Sequence, residues 1–394
     1  MTAAVTTAAR WPVISALGVV MIFTWGSSFY LMAVLAGPIA ADTGWSLGEV
    51  TGALSAGLLV AGLASPAVGR SIALHGGRPV LASGCALIAA GLLVIATAAS
   101  LWAFWAGWLL LGLGMAAGLY DPAFATLGRL YGTGARGAIT MLTLWGGFAS
   151  TVCWPLSAFM LEAWGWRGVA TAYAAIHLLG TVPLVLLAIP RNGSGPAPRT
   201  EGANPGGALA GAERRVFALM GVMLVLHGLI TVNLSTWLFA FLQAQGLDLA
   251  TAVALGTLIG PAQVAARTLE MAGGGRHHPV WTLVVAILAV AAGIGLLALD
   301  LGVAGVALVL YGGGNGLFSI ARGALPLAVF GSERYAVLMG RLARPSLIAQ
   351  SAAPLLGAAL IDRTGPEAAL WAIAALALAN TLVLALLWRT VRRT

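Results

Sequence analysis

Apolar runs follow one another along this chain, separated by polar breaks of only a few residues. Crossing a bilayer as a helix takes about 20 apolar residues. By length alone the runs predict helices over 12–40, 46–69, 79–99, 101–129, 137–161, 167–190, 216–242, 249–269, 279–299, 302–330, 335–361 and 367–388. The pattern is weakest at 249–269 and 302–330, where Arg267 and Arg322 interrupt it. One polar stretch differs from the short breaks. Residues 191–215 are rich in Gly, Pro and charge, as in Asn192-Gly193-Ser194-Gly195-Pro196 and Asn204-Pro205-Gly206-Gly207. Such a stretch cannot bury a core, so it reads as a linker. The expected organisation is a six-helix bundle over 1–190, a cytoplasmic linker over 191–215 and a second six-helix bundle over 216–394.

The two halves repeat each other at a spacing of about 198 positions. Gly76-Gly77-Arg78 recurs as Gly274-Gly275-Arg276, and Pro155-Leu156 recurs as Pro354-Leu355. Gly114-x-x-x-Gly118-Leu119-Tyr120 recurs as Gly312-x-x-x-Gly316-Leu317-Phe318. Two like-handed bundles of membrane helices joined by a linker imply a secondary transporter, with a substrate site expected between the halves.

Composition agrees with the run lengths. Only 8% of the 394 residues are charged and 60% are hydrophobic, whereas a soluble domain carries about 25% charged residues. The 53 glycines suit helices that pack backbone to backbone. The net charge of +8 raises the question of nucleic acid. All the cations are Arg, however, and they lie singly or in pairs between apolar runs rather than on one stripe, so a nucleic-acid partner is not expected. Instead they sort by side. With the amino terminus inside, Arg70, Arg78, Arg129, Arg136, Arg191, Arg199, Arg214, Arg215, Arg276, Arg334, Arg389, Arg392 and Arg393 fall in or beside cytoplasmic segments. Arg167 and Arg363 fall outside, together with Asp42, Glu49, Glu162, Asp248, Asp300, Asp362 and Glu367. That bias predicts a multi-pass protein of the cell's inner (plasma) membrane with both termini cytoplasmic. The run from Trp11 to Ala40 exceeds the 7–15 residues of a signal-peptide core.

At this level the chain resembles the major facilitator superfamily. The carrying motif is Gly69-Arg70-Ser71-Ile72-Ala73-Leu74-His75-Gly76-Gly77-Arg78, after the second run. The family usually has an Asp where this chain has Ala73. In relatives that acid helps lock the cytoplasmic side, so a different latch is expected here. The resemblance implies a twelve-helix, all-α integral membrane fold of two pseudo-symmetric bundles. Within the family, Ser28-Phe29-Tyr30, Gly44-Trp45-Ser46, Ser65-Pro66 and Gly76-Gly77-Arg78 are similar to monocarboxylate and oxalate-type porters. The segment Gln263-Val264-Ala265-Ala266-Arg267 resembles the eighth helix of monocarboxylate porters, where an Arg pairs with the substrate carboxylate and an Asp precedes it by four. This chain keeps Arg267 and has Gln263 in place of the Asp. Around Trp154-Pro155-Leu156 the fifth run lacks the Gly-Pro-x-x-Gly-Gly pattern of drug–proton antiporters.

Charge inside a bilayer is costly, so buried ionisable residues are the candidates for chemistry. Asp121, between Tyr120 and Pro122, is the one acid placed well inside a run. Two readings stand for it: a proton-coupling carboxylate, or a structural ion pair near the cytoplasmic end. Arg341 and Arg344 share a helix face, being three apart. A guanidinium can hold a carboxylate through two parallel hydrogen bonds. Arg344 is therefore a candidate substrate contact, and interface anchorage is the plainer reading for Arg341. Arg267 has the same candidate role, against simple pairing with Glu270. Arg322 is read as pairing with a neighbouring helix or as touching ligand.

Thr24, Trp25, Ser27, Ser28 and Tyr30 form a polar, aromatic cluster expected to line a cavity. Ser28, Tyr30, Tyr120 and Asn315 are the further candidates for substrate binding. His227 is the second candidate for proton coupling, because an imidazole titrates near working pH. His177 is read as bonding a neighbouring carbonyl, and Asn233, Asn315 and Asn380 as bonding between helices. Gly69, Arg70, Gly76, Gly77, Arg78, Glu270 and Arg276 are expected to gate or to hold the loops. His277-His278 lacks a third ligand, so no metal is expected. Cys85 and Cys153 fall in apolar runs and read as small buried hydrophobes.

An enzyme is not expected, for no nucleophile–base set or metal cluster stands out. The absence of a Gly-x-x-x-x-Gly-Lys loop excludes an ATP-driven pump. The expected function is proton-coupled alternating access by a monomer, moving a small organic anion of the monocarboxylate kind without a cofactor. The competing expectation is proton-driven efflux of a toxic or amphipathic compound or an oxyanion.

Overall fold

The helices begin and end where small polar residues and glycine allow it. This computed structural model describes residues 10–190, 209, 211–273 and 277–391. Ser46 opens the second helix with a capping box: its side chain accepts from the Glu49 backbone N–H while the Glu49 carboxylate reaches back to the Ser46 N–H. Ser100 caps Leu101–Gly118 by accepting from Ala103 N–H. Tight reversals use a left-handed backbone at Gly44 (φ 74°) and Gly365 (φ 84°), where a side chain would be strained.

Eight helical stretches among the described residues are long and apolar enough to cross a membrane. One of them, Ala135–Ala188, is divided in two at Gly165, where φ is 67°. Another, Ala304–Val391, is divided in three at Gly331 and Gly365, where φ is 72° and 84°. With the shorter pair Leu249–Gly256 and Ile259–Ala272, the described residues make twelve spans at the places the apolar runs predict. The chain is a multi-pass, all-α membrane protein.

Among the described residues, four spans are broken within their length, which run lengths could not show. Besides the first and the fourth, the fifth is interrupted between Gly146 and Ala149 and the eighth between Gly256 and Ile259. The first stops at Gly26 and resumes at Leu31. The fourth stops at Gly118, passes through extended Leu119 (φ −93°, ψ −159°) and resumes at Tyr120. Such breaks survive in a bilayer only where the freed backbone groups find partners.

Compactness divides the chain into two units. The first is Met1–Gly207 with Phe330–Arg344, and the second is Ala208–Val329 with Pro345–Thr394. In the first unit the third and fourth spans lie backbone to backbone. A Cβ at Gly84 would sit 2.7 Å from the Ala117 carbonyl carbon, and one at Gly91 would sit 2.7 Å from Gly107 O. The core of the second unit gathers Phe241, Val290, Ile294, Leu308, Tyr311 and Ile373.

Each unit shows its own glycine contacts, and they set the repeat more finely than the sequence does. Gly112 packs on Gly57 of the second span, and Gly114 on Ile88 of the third. In the other unit Gly312 packs on Ile259 of the eighth span, and Gly314 on Ala286 of the ninth. Gly312 therefore plays the part of Gly112, not of Gly114. The packing repeat here is 200 positions, two more than the Gly-x-x-x-Gly match suggested, because the loops of the two halves differ in length.

Phe330–Arg344 joins the first unit through a close contact with the second span. A Cβ on Gly69 would meet Ala336 O at 2.5 Å and Gly340 Cα at 3.2 Å, and one on Gly340 would meet Ser65 O. Gly69→Leu should force this contact apart, an overpacking cost of roughly 1–3 kcal/mol. The expected result is a lower thermal midpoint for the purified protein in detergent, with Gly37→Leu as a control where a Cβ meets open space. An unchanged midpoint for Gly69→Leu would show that the contact is not close-packed in solution.

Candidate functional site

The broken first span explains its cluster of hydroxyls. Ser28 Oγ donates to Thr24 O at 2.5 Å, and Thr24 Oγ1 donates to Met21 O at 3.4 Å. The Tyr30 N–H reaches five residues back to Trp25 O at 3.1 Å. Ser28, expected to line a cavity, is buried. Its hydroxyl bonds back to the preceding helix turn. Tyr30 is partly exposed, and its carbonyl accepts from Trp154 Nε1 at 3.2 Å.

Aromatic rings gather at this break. Trp25 lies against Phe29, Tyr30 and Tyr120, with centroids 5.5, 5.9 and 5.1 Å away. Tyr120 stacks on Phe124 at 5.2 Å, and its hydroxyl donates to Thr143 O at 3.4 Å. The break of the fourth span puts Tyr120 and Asp121 in the first turn of Tyr120–Tyr131. An acid there complements the positive end of the half-helix. Asp121 also lines a cavity of about 10 Å³ with Ser65, Gly69, Ile72, Ala336 and Gly340, room for a single water.

In the second half, Arg267 is 4% exposed. Its Nη2 donates to Gln263 Oε1 at 3.1 Å and its Nε to Gly316 O at 3.3 Å. Gln263, in the place of the family's Asp, is thus an orienting partner for the guanidinium. Asn315, next to Gly316, points its Oδ1 at His227 Nε2, 3.0 Å away. His227 lies flat on Phe318, with centroids 3.5 Å apart. Two helices therefore deliver an Arg and a His onto consecutive residues of the tenth span. Arg322 is partly exposed on that span and in electrostatic range of His227.

The other candidates are scattered. Arg344 and Arg341 are exposed, and Arg344 has no hydrogen bond or ion pair among the described residues. Glu270 accepts from Thr282 Oγ1 at 2.7 Å and lies 3.3 Å from His277 Nε2. His278 accepts from Val280 N–H as a helix cap. No metal-ligand group of three occurs among the described residues. In the loop motif, Arg70 is exposed, and Arg78 donates to Leu186 O. Gly76 holds φ 82° at the end of the second span, and Gly77 presses on Thr126. The Ala73 carbonyl, where the family has its Asp, accepts from Arg129 Nη1 at 2.6 Å. Arg276, with Gly274 and Gly275, lies outside the described residues.

Some expectations need correcting. Among the described residues, Asn315 alone of the three asparagines bonds between helices. Asn233 donates to Leu229 O one turn back, the nearest acceptor, and buried Asn380 has neither amide atom paired. His177 was expected to bond a carbonyl. Its ring bonds Ser27 Oγ at 2.7 Å and Thr181 Oγ1 at 2.8 Å, inside a π-helical turn His177–Thr181. The four-residue step from His177 to Thr181 was visible in the sequence; the approach of Ser27, 150 positions away, was not. Phe318 and Gln263 complete the second-half cluster and were not singled out as site residues.

Comparison with known proteins agrees with this fold. A family model described as Major Facilitator Superfamily matches residues 16–343, and the chain belongs to that family. The human organic anion transporter MFSD10 (TETRAN) superposes with a TM-score of 0.76 at 18% identity, covering 95% of this chain and 99% of the other. The proton:xylose symporter XylE superposes with a TM-score of 0.72 at 12% identity, covering 95% of each chain. Among curated sequences, mouse monocarboxylate transporter 11 is 33% identical over 153 residues. That match spans 37% of this chain and 30% of the mouse protein. The chain is thus a membrane transporter of the facilitator type, a class that carries small molecules rather than transforming them.

Proposed function

We propose that this transporter moves a small organic anion of the monocarboxylate kind together with a proton, by alternating exposure to the two sides of the membrane. The observation that carries the reading is Arg267: a guanidinium 4% exposed, oriented by Gln263 and Gly316, beside a His–Asn pair. A buried Arg at membrane depth marks a substrate or ion pathway, and its planar fork suits a carboxylate. Arg344, a separate candidate for anion contact, has no hydrogen bond or ion pair among the described residues. The short match to mouse monocarboxylate transporter 11 supports the same reading. Asp121, beside a water-sized cavity, is the proposed proton carrier. His227 Nε2 is committed to Asn315, which makes His227 the weaker choice for that role.

The segregation of Arg and acids supports an inner (plasma) membrane protein with both termini cytoplasmic. Substrate chemistry is tested by binding to purified protein. Short carboxylates should compete with one another, and their isosteric carboxamides should not. A charge-assisted contact contributes about 1.5–3 kcal/mol, so the carboxylate should bind roughly ten- to a hundredfold tighter. Equal binding of acid and amide, or binding of amphipathic cations instead, would replace this reading with efflux.

A further inference from the structure

The second-half cluster holds one polar atom that the transport reading leaves unused. His227 lies midway along Gly211–Ala244 and is 4% exposed. Its Nε2 faces Asn315 Oδ1 at 3.0 Å. An amide oxygen only accepts, so Nε2 carries the proton, and in the neutral ring Nδ1 is left as an acceptor. Nδ1 is buried and has no hydrogen-bond partner among the described residues. Stacking on Phe318, with the ring planes 16° apart, and the bond to Asn315 together fix the direction in which it points.

Buried polar atoms are almost always paired, so one without a partner calls for an explanation. Other side-chain atoms share this state: the indole nitrogens of Trp25, Trp108 and Trp237, Arg78 Nε, and both amide atoms of Asn380. Nδ1 differs from them in its setting. The residue that fixes its ring, Asn315, directly precedes Gly316, whose carbonyl holds Arg267 Nε at 3.3 Å. The cluster thus combines a fixed guanidinium with a fixed neutral acceptor. A carboxylate suits the first. The second needs a hydrogen-bond donor.

We infer that His227 is a specificity-determining substrate contact, whose Nδ1 accepts a hydrogen bond from a hydroxyl carried by the transported acid. The inference rests on the organic-anion reading above and narrows it to hydroxylated carboxylates. A hydroxyl donates to Nδ1 and fills it. A keto oxygen brings a lone pair against a lone pair, and an unsubstituted carbon leaves the atom unpaired. Sites built to bond a substrate hydroxyl discriminate against analogues lacking it, because the protein atom is then left without a partner.

The test is competition binding to the purified full-length protein with three-carbon monocarboxylates that differ only at C2: hydroxy, keto and unsubstituted. Wild type should prefer the hydroxy acid by roughly three- to tenfold, the range of one neutral hydrogen bond. His227→Gln, whose amide nitrogen can replace Nε2 toward Asn315, should lose the preference and keep affinity for the unsubstituted acid. His227→Asn, whose Oδ1 can stand where Nδ1 stands, should retain the preference. A purely structural role for His227 would instead weaken all three acids alike in both variants. Acid binding without a preference for the hydroxy acid, or a preference surviving in His227→Gln, overturns the proposal alone. Failure of wild type to bind any of the three acids overturns the organic-anion reading and this proposal with it. Nitrogen chemical shifts of His227 in the wild-type protein give a readout that needs no variant to fold, and a proton found on Nδ1 also overturns the proposal.

Discussion

Asp121→Asn should abolish accumulation driven by a pH gradient and leave exchange of substrate across the membrane measurable. Coupling requires a group that takes a proton on one side and gives it up on the other. Asp121 is the one acid that the run pattern places well inside a span, and it stands at the broken middle of the fourth helix. The cavity beside it, of about 10 Å³, has room for a single water. Asn keeps the shape, exchanges one acceptor oxygen for a donor NH2 and cannot ionise. Binding need not suffer, so exchange at equal pH is the internal control. A variant that still accumulates substrate against a gradient would return Asp121 to a structural ion pair.

Arg267→Lys should weaken carboxylate binding by about ten- to a hundredfold, with the charge unchanged. A Lys offers a point charge on a flexible stem, whereas Arg offers a fork. In this chain the fork is pre-set: Nη2 is held by Gln263 and Nε by Gly316. Lys cannot make both bonds and meet a ligand. Arg344→Lys provides the comparison from a guanidinium that has no hydrogen bond or ion pair among the described residues. Affinities equal to wild type in both variants would remove the bidentate contact from the account.

The spans were legible because hydrophobic run length is a local property, and a helix must run about 20 residues before it can turn in water. The same property hid the broken middles. Gly26–Leu31 and Gly118–Tyr120 lie within runs long enough to span, and run length does not register where the helix stops. The polar cluster around Ser27 and Ser28 is visible in the sequence but suggests cavity lining rather than a break. Contacts four apart on one helix could be read directly, as with Gln263 and Arg267. Contacts between helices could not. His227 and Asn315 are 88 positions apart, and nothing local in either run announces the other. The repeat was visible as matching glycines, but the choice between 198 and 200 positions depends on which backbone each glycine touches. The adherence of Phe330–Arg344 to the first unit likewise rests on the Gly69–Gly340 approach, which no count along the chain contains.

The account's central claim is uphill movement of an organic anion powered by protons. Its most direct test is uptake of a radiolabelled short-chain carboxylate into proteoliposomes holding the purified protein, under an imposed pH gradient. The account predicts concentration of the label above the outside level while the gradient lasts and release when a protonophore collapses it, with neither effect in liposomes without protein. Uptake that only equalises the two sides whatever the gradient, or no uptake of any carboxylate beyond protein-free liposomes, would contradict it.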